Sequence, residues 1–183
     1  MTATGAGPGT GRQLRVEHVM GTTVTIDVRP PFVSPAALDD AVAWFHDVDA
    51  RFSMYREDSE VRRLAEGRLV FADASPDVRA IVSLADTLCA RTDGYFDARR
   101  HRDDGLADPT GVVKGWSVDE AISGLRLAGA RNVQVAAGGD LYAAGEAAPG
   151  RPWRIGIRHP DLPRDTAAIL AVTDLAVATS GLY

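Results

Sequence analysis

An α+β domain, with mixed or antiparallel sheets packed against a few helices, is the fold that this sequence predicts, on three observations. Helix-period and strand-period segments come in runs that do not alternate strictly, which argues against a doubly wound parallel sheet. Two Ser-Pro pairs, Ser34-Pro35 and Ser75-Pro76, offer an N-cap followed by proline at the first helical position. After Ala130 the chain reads as strand after strand, broken by Gly, Pro and Asp clusters.

Taken in order, residues 1–12 are small, polar and glycine-rich and are expected to form a disordered tail, leaving one domain over 13–183. Leu14–Val19 and Thr22–Val28 read as strands, with Met20-Gly21 as the turn or bulge between them. In the second strand Val24, Ile26 and Val28 alternate with Thr23, Thr25 and Asp27, the period-two pattern of a half-buried strand. The helix opening at Pro35 carries Leu38, Val42, Phe45 and Phe52 on its apolar stripe, with a break expected near Asp49. A second helix opens at Pro76, buries Val78, Ile81, Ala85 and Leu88, and ends at Gly94 as its C-cap. The third is placed at Ser117, whose spacing to Glu120 is that of a capping box, with Val118, Ala121, Ile122 and Leu125 as its buried face. The closing strands are Asn132–Ala137, Leu141–Ala144, Trp153–Ile157, Ala168–Val172 and Leu175–Thr179.

Composition narrows the function classes. Of 183 residues 45% are hydrophobic and 25% charged, as in ordinary globular proteins. A formal charge of -5 argues against a nucleic-acid binder, since phosphate recognition needs a basic surface; Arg99, Arg100 and Arg102 form only a small basic patch. One cysteine, Cys89, cannot build a disulfide framework and reads as core packing. No stretch approaches the roughly 20 apolar residues of a membrane span, and the first residues lack the apolar region of a secretory signal, so a cytoplasmic protein is expected. His18, His46, His101 and His159 show no metal-ligand spacing, and His46 is expected to face solvent or cap a neighbour. Neither a Gly-x-Ser-x-Gly elbow nor a Gly-x-Gly-x-x-Gly fingerprint after a strand is present.

Four short stretches could carry chemistry. Asp108-Pro109-Thr110-Gly111-Val112-Val113-Lys114-Gly115-Trp116 sets a carboxylate, a glycine and a lysine just before the expected third helix. It reads either as a phosphate-binding helix start or as a turn with a solvated lysine. Gly138-Gly139-Asp140 reads as a hairpin turn or as a place of close backbone approach to a ligand. In Gly94-Tyr95-Phe96-Asp97 the aromatics read as core and Asp97 as a turn residue. Tyr55 could stack on a planar ligand or pack.

In sequence order these segments resemble the ApbE family of FAD:protein FMN transferases. The matching pieces are Met20-Gly21-Thr22, Phe52-Ser53-Met54-Tyr55 with Asp58-Ser59-Glu60 and Arg63-Leu64, Gly94 to Ala98, Asp108 to Gly115 with Val118-Asp119, Gly138-Gly139-Asp140, and Ala178-Thr179-Ser180-Gly181. The resemblance implies that Met20, Tyr55, Tyr95, Phe96, Asp97, Asp108 and Lys114 contact FAD and that the Gly111 carbonyl ligates Mg²⁺. It implies Mg²⁺-dependent transfer of FMN to a Ser or Thr hydroxyl of a flavin-accepting target protein, with AMP leaving. An FAD pyrophosphatase and a non-catalytic flavin-binding remnant are the alternatives. The resemblance further implies a His-Ile-x-Asp-Pro-x-Thr-Gly segment and later metal-ligating Asp and Thr residues, before which this sequence is expected to stop.

Overall fold

The computed structural model describes residues 11–99, 108–162 and 164–179. The expected N-terminal tail up to residue 10, Arg100, His101, Arg102 and the Ser180-Gly181 pair lie outside the described residues. The described strands and helices confirm the α+β class.

Strands β1 (Gln13–Val19) and β2 (Thr22–Arg29) form a hairpin whose two-residue turn is Met20-Gly21. Both turn residues have positive φ, 57° and 67°, which gives the backbone twist that suits a tight hairpin. Val24, Ile26 and Val28 are buried as the alternation predicts, and they stand opposite Ala137, Val135 and Val133 of β3 (Asn132–Ala137). These cross-strand apolar pairs fix the register, because a one-residue slip would turn them all to the other face. β3 returns through Gly138-Gly139 to β4 (Asp140–Ala144), and β7 (Leu175–Val177) adds to β4's other edge. The five-stranded sheet is antiparallel throughout, in the order β1-β2-β3-β4-β7. β5 (Trp153–Arg158) and β6 (Thr166–Val172) form a separate two-stranded sheet. Trp153, Ile155 and Val172 pack with Ala143 of β4, and Trp153 Nε1 donates to the Ala144 carbonyl at 3.1 Å.

One alternating position departs from expectation. Asp27, read as solvent-facing, is buried, because Arg29 grips both carboxylate oxygens at 2.9 and 3.1 Å and Arg12 adds an ion pair at 2.9 Å. A buried carboxylate persists only with such partners.

Helix α1 (Pro35–Phe52) runs without the break expected near Asp49. Leu38, Ala41, Phe45, Val48 and Phe52 are buried at alternating spacings of three and four, and no Gly or Pro interrupts them. α2 (Glu60–Ala65) is short and was not foreseen by periodicity. Its N-cap is Ser59, whose Oγ accepts the Arg62 N–H at 3.0 Å and donates to the Ser53 carbonyl at 2.6 Å. A single 3₁₀ turn (Phe71–Asp73) precedes α3 (Pro76–Arg91), capped by Ser75 and burying Val78, Ile81 and Ala85; Leu88 and Cys89 are only half-buried. The expected Gly94 C-cap is displaced by one residue. Asp93 takes the left-handed position at φ 50°, and Gly94, also at positive φ, donates to the Cys89 carbonyl at 2.9 Å.

The third expected helix starts about two turns early, at Thr110 instead of just after Ser117. α4 (Thr110–Leu127) opens where the Pro109 carbonyl accepts the N–H groups of Val112 and Val113. Ser117, taken from the sequence as an N-cap, is buried within it, and its hydroxyl donates back to the Lys114 carbonyl at 2.8 Å. Tertiary packing explains the extra turns. Trp116 meets Trp44 edge-on at 5.1 Å and Phe52 at 5.3 Å, while Trp44 Nε1 donates to the Ser117 carbonyl at 2.9 Å.

By contacts the chain divides into two compact units, 1–43 with 118–183 and 44–117. The first holds both sheets. The second holds α2, α3 and the adjoining parts of α1 and α4. Among the described residues no helix is long and apolar enough to cross a membrane.

Candidate functional site

The second unit gathers most of the expected flavin contacts around the start of α4. After α3, the chain turns through Tyr95, whose N–H donates to the Thr92 carbonyl at 2.9 Å, and Phe96, whose N–H donates to Thr92 Oγ1 at 3.0 Å. Tyr95 is 91% exposed, so it is not the core residue that a packing reading makes it. Phe96 is half-buried, and its Cε2 lies 3.2 Å from the point where a β-carbon on Gly111 would stand. Asp97 accepts the Arg99 N–H at 2.8 Å, and Arg99 is paired with Asp86. That Asp86 bond is the first cause of a raised Arg99 pKa, which keeps the guanidinium charged.

The Asp108 N–H donates to the Ala98 carbonyl at 2.8 Å, tying the far end of the intervening segment to the Phe96–Asp97 turn. The Asp108 carboxylate accepts the Thr110 N–H at 3.0 Å, so it already serves one free donor at the helix start. Lys114 is half-buried and one helical turn further on. Phe96, Asp97, Asp108 and Gly111 are thus brought together, with Lys114 on the same helix end. Gly111 and Lys114 are helical, not loop residues as the sequence suggested. The combination of an α4 N-terminus and a cation suits an anionic group.

Tyr55 follows α1 and is 96% exposed, while its neighbour Met54 is buried and its carbonyl accepts from Arg62 at 3.2 Å. A fully exposed tyrosine beside an anchored turn is available to stack on a ring. The sequence analysis names Ser59 only within the family match and does not single out Arg62, although both shape this turn. The Ser59 cap was detectable in Asp58-Ser59-Glu60, but a six-residue helix carries too little periodicity to confirm it.

Met20 belongs to the first unit, at one end of the five-stranded sheet. Three of the sequence segments meet there: Met20-Gly21-Thr22, Gly138-Gly139 and Thr179. Gly138 donates to the Thr23 carbonyl at 3.1 Å, and a β-carbon on it would stand 2.9 Å from Thr22 Oγ1. Thr179 donates both its N–H and its hydroxyl to the Gly139 carbonyl, at 3.1 and 2.9 Å. Gly138-Gly139 is therefore a hairpin turn, and it also walls an open cavity of about 1050 Å³. Leu141, Ile155, Ile157 and Leu170 give this cavity apolar sides, with Arg158 and Asp161 also lining it. A smaller recess of about 400 Å³ lies at the β1–β2 turn beside His18 and Thr22.

No group of three or more His, Cys, Asp or Glu residues that could hold a metal occurs among the described residues. The Gly111 carbonyl is one oxygen in the first turn of α4, where carbonyls point into the helix's own ladder. One such oxygen does not make a protein-held Mg²⁺ site, since this ion takes six.

Known proteins resemble this chain in sequence and in fold. The ApbE family model matches residues 20–102 and 99–183. The FAD:protein FMN transferase of Vibrio cholerae is 38% identical over 77 residues, which is 42% of this chain and 23% of that protein. That of Haemophilus influenzae is 32% identical over 78 residues, covering 42% of this chain and 22% of its own length. The aligned stretch thus spans about a quarter of these curated relatives. Among solved structures, the flavin transferase ApbE of Vibrio cholerae superposes with a TM-score of 0.79 at 23% identity, covering 93% of this chain and 71% of that one. The ApbE protein of Thermotoga maritima gives 0.82 at 20% identity, covering 93% and 70%. With its residues 20–102 and 99–183 matched by the family model, this chain belongs to the ApbE family.

Proposed function

We propose that this chain binds FAD and serves in the transfer of FMN from FAD to a Ser or Thr hydroxyl of a target protein. The observation that carries the reading is the grouping of Phe96, Asp97, Asp108 and Gly111 at the start of α4, with Lys114 one turn along. In this reading Lys114 and the helix N-terminus face the pyrophosphate, where fixed donors and charge act on the oxygens that gain charge during transfer. Exposed Tyr55 and Tyr95 offer ring faces to the isoalloxazine or adenine. The acceptor oxygen bonds to the FMN phosphorus, the bond from that phosphorus to the bridging oxygen breaks, AMP leaves with that oxygen, and the hydroxyl proton passes to solvent.

Mg²⁺, when bound, would neutralise pyrophosphate charge. The Gly111 carbonyl is the oxygen of this chain that the family resemblance offers to it. Asp97 and Asp108 each already accept a backbone N–H, which suits them to holding the loop and ligand.

The test is to incubate the chain with FAD, Mg²⁺ and a threonine-containing acceptor protein, and to follow acceptor mass and AMP together. FMN-modified acceptor with equal AMP supports the proposal. AMP and free FMN without modification would make the chain a pyrophosphatase, and FAD binding without AMP a non-catalytic flavin binder.

A further inference from the structure

We propose that Thr92 is a positioning residue for the site at the start of α4: it holds the turn that presents Tyr95 and Phe96, and so sets the affinity of the chain for FAD. Thr92 is the C-cap of α3, and its hydroxyl works in two directions. It donates back to the Leu88 carbonyl at 2.8 Å and accepts the Phe96 N–H at 3.0 Å. The Thr92 carbonyl accepts the Tyr95 N–H at 2.9 Å. Two successive amides of the turn therefore end on one residue. That residue is itself fixed to the last turn of α3, since its N–H also donates to the Leu88 carbonyl, at 3.0 Å.

The turn needs such an anchor. Asp93 and Gly94 are both left-handed, at φ 50° and 76°, and at Asp93 this conformation is costly because its β-carbon crowds the next carbonyl. Tyr95 is 91% exposed, so packing does little to orient its ring, and the backbone beneath sets its direction. Phe96 is half-buried against Gly111, so a shift of its amide would carry the ring off the first turn of α4. One hydroxyl thus governs both the exposed ring and the packed one. A turn held in place before the ligand arrives loses less affinity to ordering. The ligand, FAD, rests on the proposed function, in which these residues belong to the flavin site.

Two variants separate the hydroxyl from the shape of the side chain, and Thr92 is exposed, so neither disturbs the core. Thr92→Val keeps the branched shape without the hydroxyl, while Thr92→Ser keeps the hydroxyl. Calorimetric titration with FAD and Mg²⁺ should show binding weakened about fivefold in Thr92→Val and within about twofold of wild type in Thr92→Ser. Without ligand, hydrogen exchange at the Phe96 amide, followed by NMR, should be faster in Thr92→Val and restored in Thr92→Ser. Wild-type exchange in Thr92→Val overturns the anchor. Faster exchange with wild-type FAD affinity overturns the link to the site, and a loss of affinity that Thr92→Ser shares overturns the role of the hydroxyl. A wild-type chain that does not bind FAD contradicts the proposed function and this role together, and the exchange result then shows only whether Thr92 holds the turn.

Discussion

The ring of Phe96 rests on the bare backbone of Gly111: Cε2 is 3.2 Å from the position a β-carbon would take. The contact joins the turn after α3 to the first turn of α4 and places the Asp97 and Asp108 loops around one point. Gly111→Ala should raise helix propensity by about 0.5–1 kcal/mol, offset by the displaced Phe96 ring. Thermal unfolding is expected to change little, while FAD affinity falls. A variant that binds FAD as wild type would show that this packing does not shape the site.

Met20 is held at φ 57°, a conformation that costs a residue with a side chain about 1–2 kcal/mol. Strain retained at a turn is reasonable where the side chain has a task. Met20→Gly should relieve that strain, less the freedom glycine adds to the unfolded chain, for a net gain of about 1 kcal/mol or less in urea unfolding, and should weaken FAD binding. Stabilisation with intact binding would leave Met20 a turn residue alone.

Lys114→Ala should lower FAD affinity tenfold or more, since a charge-assisted hydrogen bond contributes about 1.5–3 kcal/mol. The remaining binding should depend less on salt than that of wild type. Titrations at low and high ionic strength check both. Equal affinity and equal salt dependence would remove the phosphate role from this lysine.

Two carboxylates should give acid responses of opposite sign. Glu66 has its pKa lowered below 4.5, first by the Arg62 hydrogen bond and then by the Arg68 bond, so its stabilisation is present above that value and is lost as pH falls through the folded value. The stability gap between wild type and Glu66→Gln should close as the solution is acidified. Asp119 has its pKa raised above 3.8 by desolvation, so its ionised form disfavours folding at neutral pH and this cost disappears below 3.8. Asp119→Asn should stabilise by about 0.5 kcal/mol or less at pH 7 and by nothing at pH 3. Unfolding series from pH 3 to 7 test the pair.

The sheet was legible because its signals are local. Val24, Ile26 and Val28 alternate, Met20-Gly21 and Gly138-Gly139 can take positive φ, and every expected strand is present within two residues of its predicted ends. The start of α4 was not, because Ser117 and Glu120 imitate a cap while the force that extends the helix to Thr110 is Trp116 packing on Trp44 and Phe52, residues far away in sequence. Asp27 hid its burial in part for the same reason: Arg12 becomes its partner only after the chain folds, whereas Arg29, two residues on, already shares its strand. At the candidate site, residue types pointed to phosphate chemistry near Asp108–Lys114, and the family resemblance supplied the other flavin contacts. The Phe96–Gly111 contact and the Thr179–Gly139 hydrogen bonds involve glycine backbone, which leaves no signature of its neighbours in the sequence.

Titration of the 183-residue chain with FAD, followed by calorimetry with and without Mg²⁺, tests the central claim most directly. The account predicts saturable one-to-one binding, weakened tenfold or more by Lys114→Ala, which is a loss of about 1.4 kcal/mol or greater. A folded chain that shows no saturable binding in either condition would contradict it.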